Sequence, residues 1–495
     1  MKFAKGGELS PRRPPPGVSR PPPGGCIVGS AFPIRARHRE VHVQRLPVGA
    51  PRPSAAQISA LATLVALGLG VLPGAPLGAQ PTPNGAQFQV NDYVFDNQQS
   101  PSVAAGPDGS FVAAWQSWSS PGDDSDQSSV QARLFGASGS PAADQFQLNA
   151  VTAGVQEEVA VARAPSGGFV AVWRGPTGED SADVRARCFD AAGGALGGEF
   201  LVNSDTADSQ HQPAVGVDPV TGEFLVAWRD DADDSLHARR FDAEGVPVGA
   251  QFQVNDRSGS PDWSAIAPLG EGAFVVVWAA SDSPGDDPDS SIQARRFGAT
   301  DAPMGDQFQV NTVTESSQHA AAVAGNGSGG FVVAWASDSS AGDDASLTSI
   351  QARSFDAAGA PAGPQSQVNT FTEGYQSQPD VAIDSHGHFL VVWSSEGSAG
   401  TDQDSWSIHG RRYDAVGDPV EDEFQVNFET AGDQSSPVVA NDAGGDFVVA
   451  WQSELSSGTD DSASSIQAER FDDVFREGFE SGTLARWSAN VPGTG

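Results

Sequence analysis

Between residues 86 and 473 the apolar positions fall in short runs that alternate with polar ones, and clusters of Asp, Gly, Ser and Pro separate the runs. Phe274-Val275-Val276-Val277-Trp278 is representative. A strand has a side-chain period of two, so Phe274, Val276 and Trp278 share one face while Val275 and Val277 share the other. Both faces are apolar, so each small sheet must be covered on both sides. No stretch after residue 80 holds a helical period over a useful length. The pattern predicts an all-β chain of short antiparallel strands joined by turns.

The runs recur as a unit. Aligned on tryptophan, the copies fall at Trp115, Trp173, Trp228, Trp278, Trp335, Trp393 and Trp451, with spacings of 58, 55, 50, 57, 58 and 58 residues. Each unit predicts four strands. The first follows Gln-x-x-Pro-x-Val-Ala, legible at Gln98 to Ala104, Gln376 to Ala382 and Gln434 to Ala440, and the second is Phe-x-x-x-Trp. The third is clearest at Ser291 to Phe297, and a turn such as Asp356-Ala357-Ala358-Gly359 leads to the fourth, Phe-Gln-Val-Asn.

That fourth strand is out of order. It stands first at Phe88 to Asn91, recurs at Phe146 to Asn149, Phe200 to Asn203, Phe252 to Asn255, Phe308 to Asn311, Ser366 to Asn369 and Phe424 to Asn427, and is missing after Trp451. An array that begins with the strand its last member lacks closes into a ring. The expectation is a seven-bladed β-propeller over residues 86–473, with 86–91 as the outer strand of the last blade, paired with Ile466 to Phe471. An open solenoid would need end caps and would leave the displaced strand unexplained.

Six third strands carry Arg at one position, Arg133, Arg187, Arg239, Arg295, Arg353 and Arg411, and the seventh carries Glu469. A residue repeated in nearly every blade reads as structural, with the guanidinium stacked on the indole or paired with an Asp turn. The sequence of Phe-Val-Val-x-Trp, Ile-Gln-Ala-Arg-Arg-Phe-Asp-Ala-x-Gly and Phe-Gln-Val-Asn resembles the units of secreted bacterial repeat proteins, some of them large and calcium-associated. The resemblance covers about residues 86–473. It implies an extracellular propeller and carries over no catalytic residue. Gly478-Phe479-Glu480-Ser481-Gly482, followed by Trp487-Ser488, looks like the short tail that ends many exported bacterial proteins, and residues 474–495 are too few for a core of their own.

Charge narrows the partners. The formal net charge is -36, and residues 1–80 hold ten Lys or Arg against Glu8 and Glu40, so the excess of acid lies in the repeats. Such a surface disfavours nucleic acid and anionic lipid. The apolar run Ala60 to Leu69, with Arg52 before it and Leu77-Gly78-Ala79 after it, predicts a signal peptide cut near Ala79 and a linker over 80–85. Its distance from Met1 points to 1–47 as upstream sequence, with Val48 as the alternative initiator. No transmembrane segment is expected in the mature chain, which reads as a monomer. Of the cysteines only Cys26 and Cys188 occur, and Cys188 stands where Arg240 and Arg296 stand in other units, a packed substitute.

Chemistry concentrates in the loops after tryptophan. Five are long and acidic, with Asp123, Asp124 and Asp126; Asp286, Asp287 and Asp289; Asp343 and Asp344; Asp402 and Asp404; and Asp460 and Asp461. Hard carboxylate oxygens suit calcium, so these residues form a candidate calcium-binding face, against the plainer reading of solvated loops that keep the chain soluble. His211 and His319 occupy equivalent places beside Gln210 and Gln318 and are expected at the upper mouth of the axial channel. His386 and His388 flank a turn on the other face. No His-Glu-x-x-His, Gly-x-Ser-x-Gly or Walker loop is present. Function is expected to be binding of a protein or glycan by the acidic loop face. A glycoside hydrolase or lyase at the channel mouth and a structural surface protein are the alternatives. A funnel of convergent acids, Arg and Trp would favour the enzyme.

Overall fold

The computed structural model describes residues 83–472 except 120–121, 123, 125–126, 178–180, 257–258, 282–288, 345, 399, 403–404 and 456–463. The expected signal peptide with its expected cleavage near Ala79, and residues 473–495, lie outside the described residues. Seven four-stranded antiparallel sheets are present, each in simple up-and-down order. Blade I runs Gln98–Ala105, Phe111–Trp118, Ser128–Phe135, Phe146–Gln147, and blades II to VI repeat it from Glu157, Gln210, Asp262, Gln318 and Gln376. Blade VII consists of Gln434–Asn441, Phe447–Glu454, Ser464–Phe471 and the displaced Phe88–Gln89. First strands touch first strands all the way round, including blade VII with blade I, so they line the axis. Among the described residues no helix is long and apolar enough to cross a membrane.

Alternation explains how blades stack. In blade II, Phe169, Ala171 and Trp173 pack with Val112, Ala114, Val130 and Ala132 of blade I, whereas Val170 and Val172 turn the other way onto Phe224, Val226 and Trp228 of blade III. The seam is built alike, with Phe111, Ala113 and Trp115 of blade I against Val448, Ala450 and Ile466 of blade VII. All seven repeat tryptophans are fully buried. Four of them donate their indole N–H to the first-strand Gln, as Trp115 does to Gln98 at 2.9 Å. In blade IV, Pro261 stands where that Gln would be, and the Trp278 indole has no acceptor among the described residues.

Ring closure follows the expected pairing, Phe88 opposite Ala468 and Gln89 opposite Gln467. The strand is two residues long rather than four, because Asn91 turns its side chain into the ladder. Its Oδ1 accepts from Ile466 N at 2.8 Å, and the equivalent bond joins Asn149 to Val130, Asn203 to Val184, Asn255 to Leu236, Asn311 to Ile292, Asn369 to Ile350 and Asn427 to Ile408. The residue before Phe, Gln or Glu, accepts from the backbone of the preceding blade at every interface, as Gln145 does from Asp92 N and Gln87 from Phe428 N.

The repeated Arg is a clasp between blades. Its Nη1 donates to the carbonyl of the apolar residue before Asn in the preceding blade: Arg133 to Val90, Arg187 to Leu148, Arg239 to Val202, Arg295 to Val254, Arg353 to Val310 and Arg411 to Val368, at 2.8 to 3.1 Å. The guanidinium lies over the aromatic ring two residues on, such as Phe135 at 5.8 Å, and not over the indole. The ring at i+2 is on the same face of the same strand, which a side chain reaches without crossing to the neighbour. Cys188 is buried, with its thiol pushed up to about 11 by that burial and by Asp242 and Glu244.

Candidate functional site

The acidic loops and the fourth strand form a latch. Asp124, Asp344 and Asp402 are buried, and each Oδ2 accepts from the Nδ2 of Asn149, Asn369 and Asn427 at 2.7 to 2.8 Å. Their backbone N–H groups donate to the fourth-strand Gln147, Gln367 and Gln425. A Cβ on Gly122, Gly342 or Gly400, two residues earlier, would lie 2.1 to 2.2 Å from that Gln oxygen and push the Gln side chain out of the latch. Blade II makes the same bond from Asn203 to Asp183 without a long loop. Asp289 and Asp343 are exposed. Asp123, Asp126, Asp286, Asp287, Asp404, Asp460 and Asp461 lie outside the described residues.

The axial mouth is made differently. Every first strand breaks register near its start, and in every blade the third residue of that segment has positive φ: Ser100, Glu158, Gln212, Trp263, Ala320, Gln378 and Ser436, at 50 to 56°. A bulge re-aims a side chain, and left-handed backbone on a bulky residue such as Trp is strained. Seven bulges at equal height surround the axis. They are stitched to one another in places: Gln212 N donates to Glu158 Oε2 at 2.6 Å, Gln212 Nε2 donates to Asp262 Oδ1 at 2.6 Å, and Gln378 Nε2 donates to Ser436 Oγ at 3.2 Å.

What occupies these positions differs around the ring. Blades II to IV present Glu157 and Glu158, His211 and Gln212, then Asp262 and Trp263, and the adjoining second strands add Arg174 and Arg229. Blades I, VI and VII present Gln99 and Ser100, Ser377 and Gln378, and Ser435 and Ser436 in the same register. The mouth is therefore ionic on one side and neutral on the other. Arg174 pairs with Glu157, and Arg229 approaches both Asp231, at 3.7 Å, and Asp234, at 3.0 Å. Trp263 is 58% exposed. Burial pushes the Glu158 carboxyl up, against the hydrogen bond from Gln212 and the attraction of Arg174. Lower in the channel wall, Asp380 is pushed up to about 7 by its enclosure, although it accepts Val439 N and its side chain keeps some access to solvent.

His211 sits one residue before the bulge, with Nε2 2.8 Å from Asp231 Oδ1, and His319 is placed alike, 3.2 Å from Asp338 Oδ1. His386 and His388 pack around the turn at Asp384, as their spacing suggests. Blade III also gathers Asp230, Asp233 and His237, whose ligand atoms lie within 4.8 Å of one another. Its Asp233 carboxyl is held low: burial opposes this, and hydrogen bonds from Ser235 and His237 outweigh the burial. The trio arises because this blade's connection is a short turn, Asp230 to Asp234, so His237 can reach back over it. Sequence reasoning missed Glu158, Asp262 and Trp263. The signal was there in their departure from Gln-x-x-Pro, legible only once the register is known.

No protein-family description and no curated protein sequence matches this chain. Among solved structures it is similar to a protein of unknown function from Dyadobacter fermentans, at 12% identity and TM-score 0.44, covering 80% of this chain and 100% of that one. It is also similar to an α-L-arabinanase from Penicillium chrysogenum complexed with arabinobiose, at 11% identity and TM-score 0.44, covering 79% and 98%. The NanB sialidase of Streptococcus pneumoniae gives 8% identity and TM-score 0.43, covering 80% and 71%. Likeness at this level transfers neither a residue nor a ligand.

Proposed function

We propose that the chain is an exported glycan-binding propeller whose ligand enters the axial mouth over blades II to IV. The observation that carries this reading is the exposed Trp263 on a strained bulge, on the side of the mouth that also carries Asp262, Glu158, Arg174 and Arg229, where blades I, VI and VII carry neutral residues in the same register. A sugar ring offers an apolar face of C–H groups to an indole and a girdle of hydroxyls to carboxylates and guanidinium. A surface with one aromatic platform and several fixed polar groups matches both. Trp263 fluorescence, read against a panel of neutral and acidic oligosaccharides, tests it. Trp263→Ala and Asp262→Asn are expected to lower affinity at least about tenfold, the scale of one lost stacking or charged hydrogen bond. Binding equal to wild type in both variants would overturn the reading.

Hydrolysis is the second reading, favoured by the raised Glu158 carboxyl across Gln212 from Asp262. A carboxyl whose proton is held more tightly by burial is suited to protonate a glycosidic oxygen, and a second carboxylate completes the pair that glycosidases use. Aryl-glycoside turnover that is lost in Glu158→Gln, with ligand binding retained, distinguishes hydrolysis from binding alone.

A further inference from the structure

Six of the seven blade interfaces are closed by the same guanidinium, and the interface between blades VI and VII is not. There, Glu469 replaces Arg at the clasp position, and among the described residues nothing donates to the waiting carbonyl of Val426. The neighbouring stitch survives, since Phe428 N still donates to Gln87 Oε1 at 2.9 Å, so the backbone holds the spacing the clasp uses elsewhere. A cleft of about 750 Å³ opens at this place, lined by Val426, Glu469, Phe471, Asn427, Thr430 and the exposed Phe428. Glu469 is only 4% exposed, and no described residue forms a hydrogen bond or ion pair with its carboxyl group. The other six interfaces show what this environment accepts: an Arg head 2.8 to 3.1 Å from the carbonyl and 5.5 to 5.8 Å from the ring two residues on, the place held here by Phe471.

We propose that the cleft between blades VI and VII is a guanidinium socket, which takes an arginine side chain from outside the ring onto Val426 O and the Glu469 carboxylate. A planar fork of donors satisfies a carbonyl and a carboxylate together, which an ammonium does less well. The burial that leaves Glu469 without a partner makes a fitting cation worth more there than at the surface. The guanidinium has two sources of the same chemistry, Arg476 or Arg486 of this chain and an arginine-bearing peptide of another.

Calorimetric titration of the full chain with Nα-acetyl-arginine methylamide, and with its lysine counterpart, tests the socket. Wild type, or the Arg476→Ala/Arg486→Ala chain, is expected to bind the arginine probe at least about tenfold more tightly than the lysine probe. Binding by both chains assigns the site to an external arginine. Binding only after the double substitution assigns it to the chain's own. Glu469→Gln should lose at least about tenfold in affinity, and Glu469→Arg should abolish binding while raising the melting temperature as the seventh clasp forms. The proposal is overturned if neither chain binds the arginine probe, if lysine binds equally, or if Glu469→Gln binds as tightly as its parent.

Discussion

The outer rim of the ring and its axial mouth are built from the same repeat and treat it in opposite ways. At the rim, each conserved position of the repeat has a single role in blade after blade. Asn closes the third strand, Gln or Glu stitches the preceding blade, and Arg clasps its carbonyl. At the mouth, every blade keeps the same strained bulge and changes what it carries, from Ser100 to Glu158 to Trp263. Uniformity at the rim marks where the fold is held. Variation on a fixed backbone marks where a ligand would be read. Substitutions at the rim should therefore cost stability, and substitutions at the mouth should not.

The largest effect is expected from deleting residues 86–91. This segment gives Phe88 to the core beside Phe111 and Phe135, binds Ile466 through both Val90 N and Asn91 Oδ1, accepts Arg133 of blade I on Val90 O, and contains Gln87, which holds Phe428 of blade VI. One short strand thus ties three blades. Its removal should lower the melting temperature by more than about 10 °C and broaden the transition, since a ring without its seam becomes an array of nearest neighbours. A sharp transition within a few degrees of wild type would mean that closure contributes little.

A single rim residue comes next. Asn369→Ala removes the acceptor for Ile350 N and takes the donor from Oδ2 of the buried Asp344, whose Oδ1 keeps Ser346. Losing a buried network member and stranding its partner should cost about 2–4 kcal/mol, measured by denaturant unfolding. Ala at the exposed Asp343 should change stability by less than about 0.5 kcal/mol. Asp124, Asp344 and Asp402 each have one oxygen engaged in this latch, and EDTA tests whether the acidic face also holds calcium. A latch alone leaves the melting temperature unchanged, and a calcium-binding face loses several degrees.

Glu469 gives a pH-dependent version of the same contrast. Burial pushes its carboxyl from 4.5 up to about 7, as it also does for Glu421 and Asp380. A group that binds its proton more tightly when folded stabilises most below its unfolded value, and that contribution fades as pH rises through about 7. In the Arg476→Ala/Arg486→Ala background, Glu469→Gln should match its parent at pH 4 and exceed it at pH 8, by on the order of 2 kcal/mol. Stability curves that stay parallel from pH 4 to 8 would show that Glu469 titrates normally.

Much of the rim was legible in the sequence, because a role repeated in seven blades leaves a motif. The displaced Phe88 strand, its partner near Ile466 and the structural nature of the Arg series all follow from alignment on Trp. Which ring that Arg covers did not follow, since the alignment fixes a residue's strand and not its rotamer. The latch of the acidic loops was not legible, because the partners of Asp124, Gln147 and Asn149, lie 23 and 25 residues further on in blade I. The mouth was the least legible region. Glu158 and Trp263 share no motif with their equivalents, and only the backbone bulge identifies them as one set.

The smallest expected effect on stability has the opposite sign. Trp263 holds φ at 50° with its ring largely in solvent, so its side chain gains little from packing while its backbone is strained. Glycine adopts this conformation freely, although it adds entropy to the unfolded chain. Trp263→Gly should therefore leave stability unchanged or raise it by up to about 1 kcal/mol, while removing the proposed sugar platform. The measurement pairs the melting temperature with the glycan titration of the same sample. A loss of about 2 kcal/mol or more would place Trp263 with the rim residues, as part of what holds the ring, and would remove the strongest ground for a ligand at the mouth.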